Sequence, residues 1–584
     1  MVDRRRASRA WPLLGERPAE RVGCLLLMAV AFALPFELDT PLFSLGPIHV
    51  TNLELALGAF LLTSTALLVS GRLSFSPLSR QLPGGWPWLA AAFVFALAVA
   101  AWLAPGLNLV AWKAGGRTLS GLALAALIPV VIRRRSQAAA VLLALLIAGI
   151  VSATFGLVEL TQAAPLEWLG GFRPQPSLVG PFVRLTGTLD YANQAAMYIG
   201  ATLPLLAAGL LLPRPQRKLG LMAILGLVLA GYLQAGLLTY SRALPITVLG
   251  SFLAISVWMW RSMLAVRPDQ AARVWIVVPM LCLALVAANA LLNPVFLLRM
   301  TSASESDWYR WDMQLPGDTT IEPEQTLTVD IRLHNLGVFT WSGTGTQRFQ
   351  LVARWFANDD AESVVQEQRW PLPAILAPGE HDLVSVELSA PANTGDYFIV
   401  WDVVHEGVSS LSYKTGQHFA SRVTVTGAGG ETEEPPPLPA ASAVVYAPDR
   451  LALWSVAGRL IAEYPWTGIG LDTFRLRYGR YLGWSEWNTT IHSNSLYLET
   501  MVSLGFLGAL PFFAWLAILL VDIARTLRRT QFEWLNLALG TSLLAFMVHG
   551  VLDYFLLFNA TGLLFWVLVG LWIAARPAAD RVTA

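Results

Sequence analysis

Polar and apolar positions along this chain alternate on two length scales. Over residues 22–292 and again over 495–574, apolar residues run for about 17–25 positions between short polar breaks, the length that crosses a hydrocarbon core. Backbone groups in hydrocarbon must be hydrogen-bonded within their own segment, so these runs predict helices. The pattern gives about twelve of them, near 22–36, 52–69, 86–103, 118–132, 138–160, 192–212, 219–238, 243–260, 274–292, 495–521, 534–552 and 558–574. The first run follows Arg4, Arg5 and Arg6, as in a signal peptide. No small-x-small cleavage site follows it and many further spans do, so it reads as the first transmembrane helix.

Between the ninth and tenth runs the period changes to two. From Trp308 to about Val425, short alternating segments such as 326–333 (Thr-Leu-Thr-Val-Asp-Ile-Arg-Leu) are punctuated by Asn335-Leu336-Gly337 and Pro378-Gly379. Regularly spaced strands with turn signals predict an all-β sandwich. The expected organisation is a membrane domain at 1–297, a sandwich insert at 298–430, a Pro- and Glu-rich linker at 431–445, a catalytic loop at 446–494 and a second membrane domain at 495–584. The linker carries Glu431, Glu433, Glu434 and three consecutive prolines.

Composition strengthens the membrane reading. The 584 residues are 55% hydrophobic and 14% charged, with mean hydropathy +0.54, whereas a soluble domain carries about 25% charge. A net charge of +1 provides no bulk field for nucleic acid. Cys24 and Cys282 both sit inside apolar runs, as small buried hydrophobes outside any disulfide framework or zinc site.

Charge in the short loops sets the expected orientation. One set of loops carries Arg72, Arg80, Arg133, Arg134, Arg135, Arg214, Arg217, Lys218, Arg261, Arg267, Arg273, Arg525, Arg528, Arg529, Arg576 and Arg581. The opposite set carries Lys113, Arg117, Arg173, Arg184 and Arg242. An even number of spans with both termini cytoplasmic follows, in a cell (inner or plasma) membrane. The second set of loops then faces outward.

Three outward segments carry polar residues that a lipid-facing helix does not explain. The first runs from Arg184 through Gly187 to Asn193. The second is Thr239-Tyr240-Ser241-Arg242, in a tight turn between spans. The third contains Pro465-Trp466-Thr467-Gly468-Ile469-Gly470, Tyr478, His492-Ser493-Asn494, Tyr497 and Gly505-Phe506-Leu507-Gly508. Arg184-x-x-Gly187 with Asn193-x-x-Ala196, then Ser241-Arg242 opening a helix, then Trp454, the Pro-x-x-Gly-x-Gly turn and His492-x-Asn494, resemble in that order the signatures of the O-antigen ligase and O-antigen polymerase family. The resemblance covers about residues 140–525 apart from the insert, and departs from the family at Ser503, where relatives often carry a carboxylate. Within the insert, His334-Asn335-Leu336-Gly337, Trp341, Ala377-Pro378-Gly379-Glu380 and Gly395-Asp396-Tyr397 resemble an immunoglobulin-like module of bacterial surface proteins. The fold these resemblances imply is an all-α polytopic membrane protein, GT-C-like, with an extracytoplasmic immunoglobulin-like sandwich inserted.

The residue types suit that chemistry on their own terms. Outside the cytoplasm no nucleotide-sugar pool exists, so a sugar transferase needs a pre-activated donor, and a polyprenyl (undecaprenyl) diphosphate glycan is one. Expelling the lipid diphosphate develops charge on phosphate oxygens, which Arg184 and Arg242 would hold by charge-assisted, forked contacts. His492 suits the general base for the acceptor hydroxyl. Asn193, Asn494, Tyr497, Tyr478, Gly468 and Gly470 are candidate substrate-binding positions. Lys113, Arg117, His549 and Asp553 are further candidates. No carboxylate or histidine cluster has metal-ligand spacing, so a metal-independent reaction without a cofactor is expected; inversion at the anomeric carbon is implied by the resemblance only. The partners are then the lipid-linked glycan donor, a glycan, lipid or protein acceptor, and membrane lipid.

Blander readings stand beside these. Arg184, Arg242, Lys113 and Arg117 also suit interfacial anchors whose charged ends reach the headgroups. His549 and Asp553, four residues apart, also suit a structural hydrogen bond. His334, His381, His405 and His418 belong to the sandwich, and His49 to a short loop. Trp466, Trp484 and Trp487 suit an aromatic belt as well as sugar stacking. A ligase and a polymerase share all these motifs. A flippase of lipid-linked sugars would instead place ionisable groups at mid-membrane and repeat internally, and neither pattern is present.

Overall fold

The computed structural model describes residues 17–46, 48–75, 85–161, 166–210, 219–262, 270–357, 360–426, 448–484 and 487–576. Arg4–Arg6, the linker at 431–445, and Arg80, Arg214, Arg217, Lys218, Arg267 and Arg581 lie outside the described residues. The described chain is mostly helical. Among its residues, nine helices are long and apolar enough to cross a membrane: Pro18–Phe36, Asn52–Val69, Trp86–Leu103, Asn108–Val131, Arg135–Leu160, Gly220–Leu237, Ala243–Arg261, Arg273–Leu292 and Leu496–Arg529. Three further apolar helices stand where the remaining spans are expected. Ala192–Gly209 carries Asn193, Gln194 and Thr202, and Trp534–His549 and Asn559–Ala575 have 16 and 17 residues. These three are enclosed by the others and bury almost every side chain.

Two helices differ from the expected spans. The helix expected at 118–132 begins at Asn108, so Lys113 and Arg117 ride on its first turns and not in a loop. Ala111 and Ala114 bury the inner face of those turns, and both cations point outward from the exposed one. The helix expected at 495–521 runs from Leu496 to Arg529, broken at Gly505 with φ 56° and ψ −166°.

Loops from distant parts of the chain meet at one end of the bundle. There Thr188 donates to the Pro35 carbonyl, and Asn559 Nδ2 donates to Glu37 Oε1 at 2.5 Å. At the opposite end Arg133 donates to the Ser74 carbonyl at 2.9 Å, and Arg135 and Arg576 pair with Glu533 (3.4 Å) and Asp522 (2.8 Å).

The insert folds as two sheets. Strands β1 (Trp311–Gln314), β3 (Thr326–Asn335) and β6 (His381–Ser389) form an antiparallel sheet in the order β6-β3-β1. The larger sheet runs β2-β8-β7-β4-β5, from β2 (Thr319–Ile321), β4 (Phe349–Ala357), β5 (Asp360–Pro371), β7 (Gly395–His405) and β8 (Phe419–Val425). The predicted alternation holds in β3, where Val329, Ile331, Leu333 and Asn335 are buried and their neighbours are not. Trp341, Trp355 and Trp401 fill the core. A hairpin at 178–183 receives the insert: Trp308 lies against Gly180, the Phe182 and Phe339 rings meet at 6.2 Å, and Gln347 donates to the Pro181 carbonyl at 3.2 Å.

Candidate active site

The helix Leu496–Arg529 starts at a cap, Ser495, whose side chain accepts from the Leu498 amide. Its first amide, Leu496 N, donates to the carbonyls of Gly550 (2.7 Å) and Asp553 (3.1 Å), fastening the turn at 549–553 to the helix start. Asn494 takes the left-handed conformation (φ 52°), which short polar side chains tolerate, and folds the preceding residues back over the helix. Glu499, fully buried one turn in, accepts from His492 Nδ1 at 3.2 Å and from the Ser493 amide at 2.8 Å. A carboxylate on Nδ1 keeps the ring proton there and leaves Nε2 as the basic nitrogen. Nε2 lies 3.9 Å from Asp472 Oδ1, and Asp472 holds Arg475 by two bonds of 2.5 and 3.0 Å. The rings of Tyr554 and Phe558 stand edge-on to the imidazole at 5.5 and 5.9 Å.

A cluster of arginines adjoins this histidine. Arg184 donates from Nε to the Thr239 carbonyl (2.7 Å) and from its fork to Asn193 Oδ1 (2.8 Å). Asn193 Nδ2 faces Asp553 Oδ1 at 3.4 Å, and the Arg450 guanidinium stands 3.6 Å from the same oxygen. The path Arg184–Asn193–Asp553–Arg450 therefore passes through Asp553, the residue before Tyr554, whose ring stands beside His492. Arg242 grips the end of the short helix Pro294–Thr301. Its Nε and fork reach the Arg299 carbonyl at 2.9 and 2.6 Å, and it also donates to the carbonyls of Ser302 and Ala303. Arg299 faces Glu305 at 3.6 Å, and Lys414 of the insert faces Glu305 at 3.1 Å.

These cations are held close despite their charge. Burial, then the Arg299 charge, pushes Arg184 down to about 10. Arg242 is lowered by burial, then by Arg299 and Arg450, and Arg299 by burial and then Arg450, with Glu305 opposing. Burial alone would raise Glu305, but Lys414 and Arg299 outweigh it and hold the carboxyl below its ordinary range. Mutually repelling guanidinium groups gathered in this way suit an anion with several oxygens.

The other expected positions have clear places. Gly468 and Gly470 (φ 66° and 93°) let the 465–470 turn lie flat on the broken helix. Ile469 N and Gly470 N donate to the carbonyls of Val502 (2.9 Å) and Ser503 (3.0 Å), and Phe506 N and Leu507 N donate back to Pro465 (2.7 Å) and Trp466 (3.0 Å). The break at Gly505 frees these groups for the exchange. Tyr478 is fully buried with its hydroxyl on the Asn488 carbonyl (2.8 Å), and Tyr497 donates to the Met547 carbonyl (3.0 Å). Both hydroxyls are used within the fold. His549 is fully buried, with Nε2 3.4 Å from Asp553 Oδ2. Lys113 and Arg117 are exposed on their helix.

Glu499, Asp472, Arg450, Arg299 and Tyr554 were not singled out in the sequence. Two carried a signal: Glu499 is the first acid of the helix that follows His492, and Arg450 heads the helix bearing Trp454. Ser503, where the family often has a carboxylate, is buried, and Glu499 one turn earlier supplies the carboxylate on His492.

Arg450, Trp454, Gly468, Asp472, His492 and Glu499 fall in one continuous stretch. The O-antigen ligase family model matches residues 441–513. Arg184 and Arg242 lie outside the matched residues; Arg184 meets them through Asn193 and Asp553, which faces Arg450, and Arg242 and Arg299 feel the Arg450 charge. No curated protein matches the chain. With its apolar helices, the chain is a multi-pass membrane protein whose residues 441–513 match the O-antigen ligase family model.

Proposed function

We propose that this protein is a glycosyltransferase of O-antigen ligase type, moving a glycan from a polyprenyl diphosphate to an acceptor on the extracytoplasmic face. The single observation that carries it is the arrangement, within and beside the matched residues 441–513, of a carboxylate-oriented histidine and a set of buried and half-buried arginines. His492 Nε2 takes the proton of the acceptor hydroxyl as its oxygen bonds to the anomeric carbon. The bond from that carbon to the diphosphate oxygen breaks on the opposite side, inverting the centre. Arg184, Arg242 and Arg450 stabilise the charge on the departing lipid diphosphate. No metal takes part in the proposed step.

The charge asymmetry of the loops supports cytoplasmic termini and an outward-facing site. The two-sheet insert, with its Trp-rich core, supports the immunoglobulin-like reading. A polymerase, which adds the growing glycan to another lipid-linked unit, would use the same residues. Purified protein in lipid, given a polyprenyl diphosphate glycan with and without candidate acceptors, separates the two by product mass. A single addition to a foreign acceptor is the result expected, and a ladder of repeats marks a polymerase. Loss of transfer in EDTA would overturn the metal-free step, and deletion of 308–425 with transfer retained would show the insert dispensable.

A further inference from the structure

The insert and the membrane domain share a carboxylate. Glu305 stands between the end of the helix Pro294–Thr301 and the first strand of the insert. Its Oε1 faces Arg299 at 3.6 Å, while its Oε2 faces Lys414 Nζ at 3.1 Å and accepts from the Gly180 amide at 3.4 Å. Gly180 belongs to the hairpin that runs directly into Arg184, whose amide donates to the Ser177 carbonyl at 2.8 Å. The insert is therefore seated beside the two segments that carry Arg184 and Arg242.

Lys414 is brought there by the fold of the insert. It lies on the short helix Leu411–Thr415, capped at its start by the Ser410 side chain and ended by Gly416 in the left-handed conformation (φ 70°). Asp402, buried on β7, accepts from the Ser412 amide at 3.1 Å, and Trp311 Nε1 on β1 donates to Thr415 Oγ1 at 3.2 Å. The helix is thus fastened to a strand of each sheet. The Lys414 ammonium also stands 5.8 Å from the centre of the Tyr309 ring, a cation–π distance.

The shared carboxylate opposes the arginines that the proposed reaction needs. Arg184 and Arg242 both feel its charge, and Arg299 faces it directly. Alone with Arg299, Glu305 would neutralise that cation and compete with a diphosphate for its guanidinium. Lys414 engages the carboxylate at the shorter distance, so the group of three keeps one positive charge in surplus; without Lys414 it is neutral. We propose that the insert is part of the donor site: Lys414, acting through Glu305, keeps the Arg299 guanidinium available to the donor's diphosphate. The inference rests on the transferase reading above. It makes Lys414 and Glu305 positioning residues of opposite sign. A plain tether between insert and membrane domain behaves differently, because cutting it from either side has the same effect.

The test is equilibrium binding of labelled undecaprenyl diphosphate to the full chain in mixed micelles, with the melting temperature of each variant. Lys414→Met is expected to weaken binding and Glu305→Gln to strengthen it, each by roughly three- to fivefold for half-buried, partly screened charges. The double variant, which again leaves one positive charge, should return near wild type, and Lys414→Arg should bind as wild type does. Arg369→Met removes an insert cation paired with Glu367 and should leave the affinity unchanged. Lys414→Gln repeats the test if Lys414→Met does not fold. Weaker binding in Glu305→Gln, unchanged binding in either single variant, or an equal loss in Arg369→Met overturns the inference while the transferase reading stands. If wild type does not bind undecaprenyl diphosphate, the transferase reading falls and takes this inference with it.

Discussion

Replacing Glu499 by Gln changes one atom and tests how His492 is held. The carboxylate accepts from two donors at once, His492 Nδ1 at 3.2 Å and the Ser493 amide at 2.8 Å. A glutamine has one accepting oxygen and one donating amide, so it cannot serve both. The Ser493 N–H cannot change its nature, whereas the imidazole can. The expected outcome is that the new oxygen stays with Ser493 and the NH2 group faces Nδ1, driving the ring proton onto Nε2. That places a proton on the nitrogen that must accept one. The loss of a charge-assisted hydrogen bond is worth roughly 1.5–3 kcal/mol. At about 1.4 kcal/mol per decade of rate, kcat should fall about 10- to 150-fold. KM for the lipid-linked donor should stay near wild type, because Arg184, Arg242 and Arg450 are untouched. Initial rates over a range of donor concentrations, with the melting temperature measured on the same preparation, separate these effects. A Glu499→Gln protein with wild-type kcat would refute the orienting role, and one that only raises KM would assign Glu499 to donor binding instead.

Other outcomes follow from the same geometry. His492→Ala should abolish transfer with the melting temperature near wild type; retained activity removes it as the base. Arg242→Ala should lose both transfer and about 1–3 kcal/mol of stability, since Arg242 also holds the carbonyls of Arg299, Ser302 and Ala303; loss of transfer with no change in stability would contradict the cap seen here. Gly468→Ala should destabilise the protein by roughly 1–3 kcal/mol, because a Cβ there meets the backbone of Ser503 and Leu504 at positive φ; an unchanged melting temperature would refute the packing argument. His405, stacked on Phe349 in the insert core, is lowered by burial from 6.5 to about 4. Its folded value lies below the unfolded one, so its contribution is full above pH 6.5. That contribution falls as acid protonates the unfolded chain first, by up to about 3 kcal/mol near pH 4. Hydrogen exchange of β7 amides across that range should show the decline, and His405→Phe should flatten it.

The sequence by itself determined the helical membrane character, the period-two insert and the likeness of residues 441–513 to the O-antigen ligase family. Each rests on a signal local in the chain. Apolar run length fixes what can cross a bilayer, period-two alternation marks strands such as β3, and Arg184, Arg242 and His492 sit in short recognisable motifs. Helix ends were less legible. Lys113 and Arg117 looked like a loop because charge interrupts an apolar run, yet a helix tolerates cations on an exposed face.

Only the tertiary structure decided what the motif residues do. Gly468, Gly470, Tyr478 and Tyr497 suggested substrate contacts, but their backbone or hydroxyl groups are committed to neighbours at 502–507, Asn488 and Met547. Asp553 and Arg450 become members of the site because residues more than a hundred positions apart, or more, meet at one end of the bundle. Their partnership with Asn193 is written nowhere in local pattern.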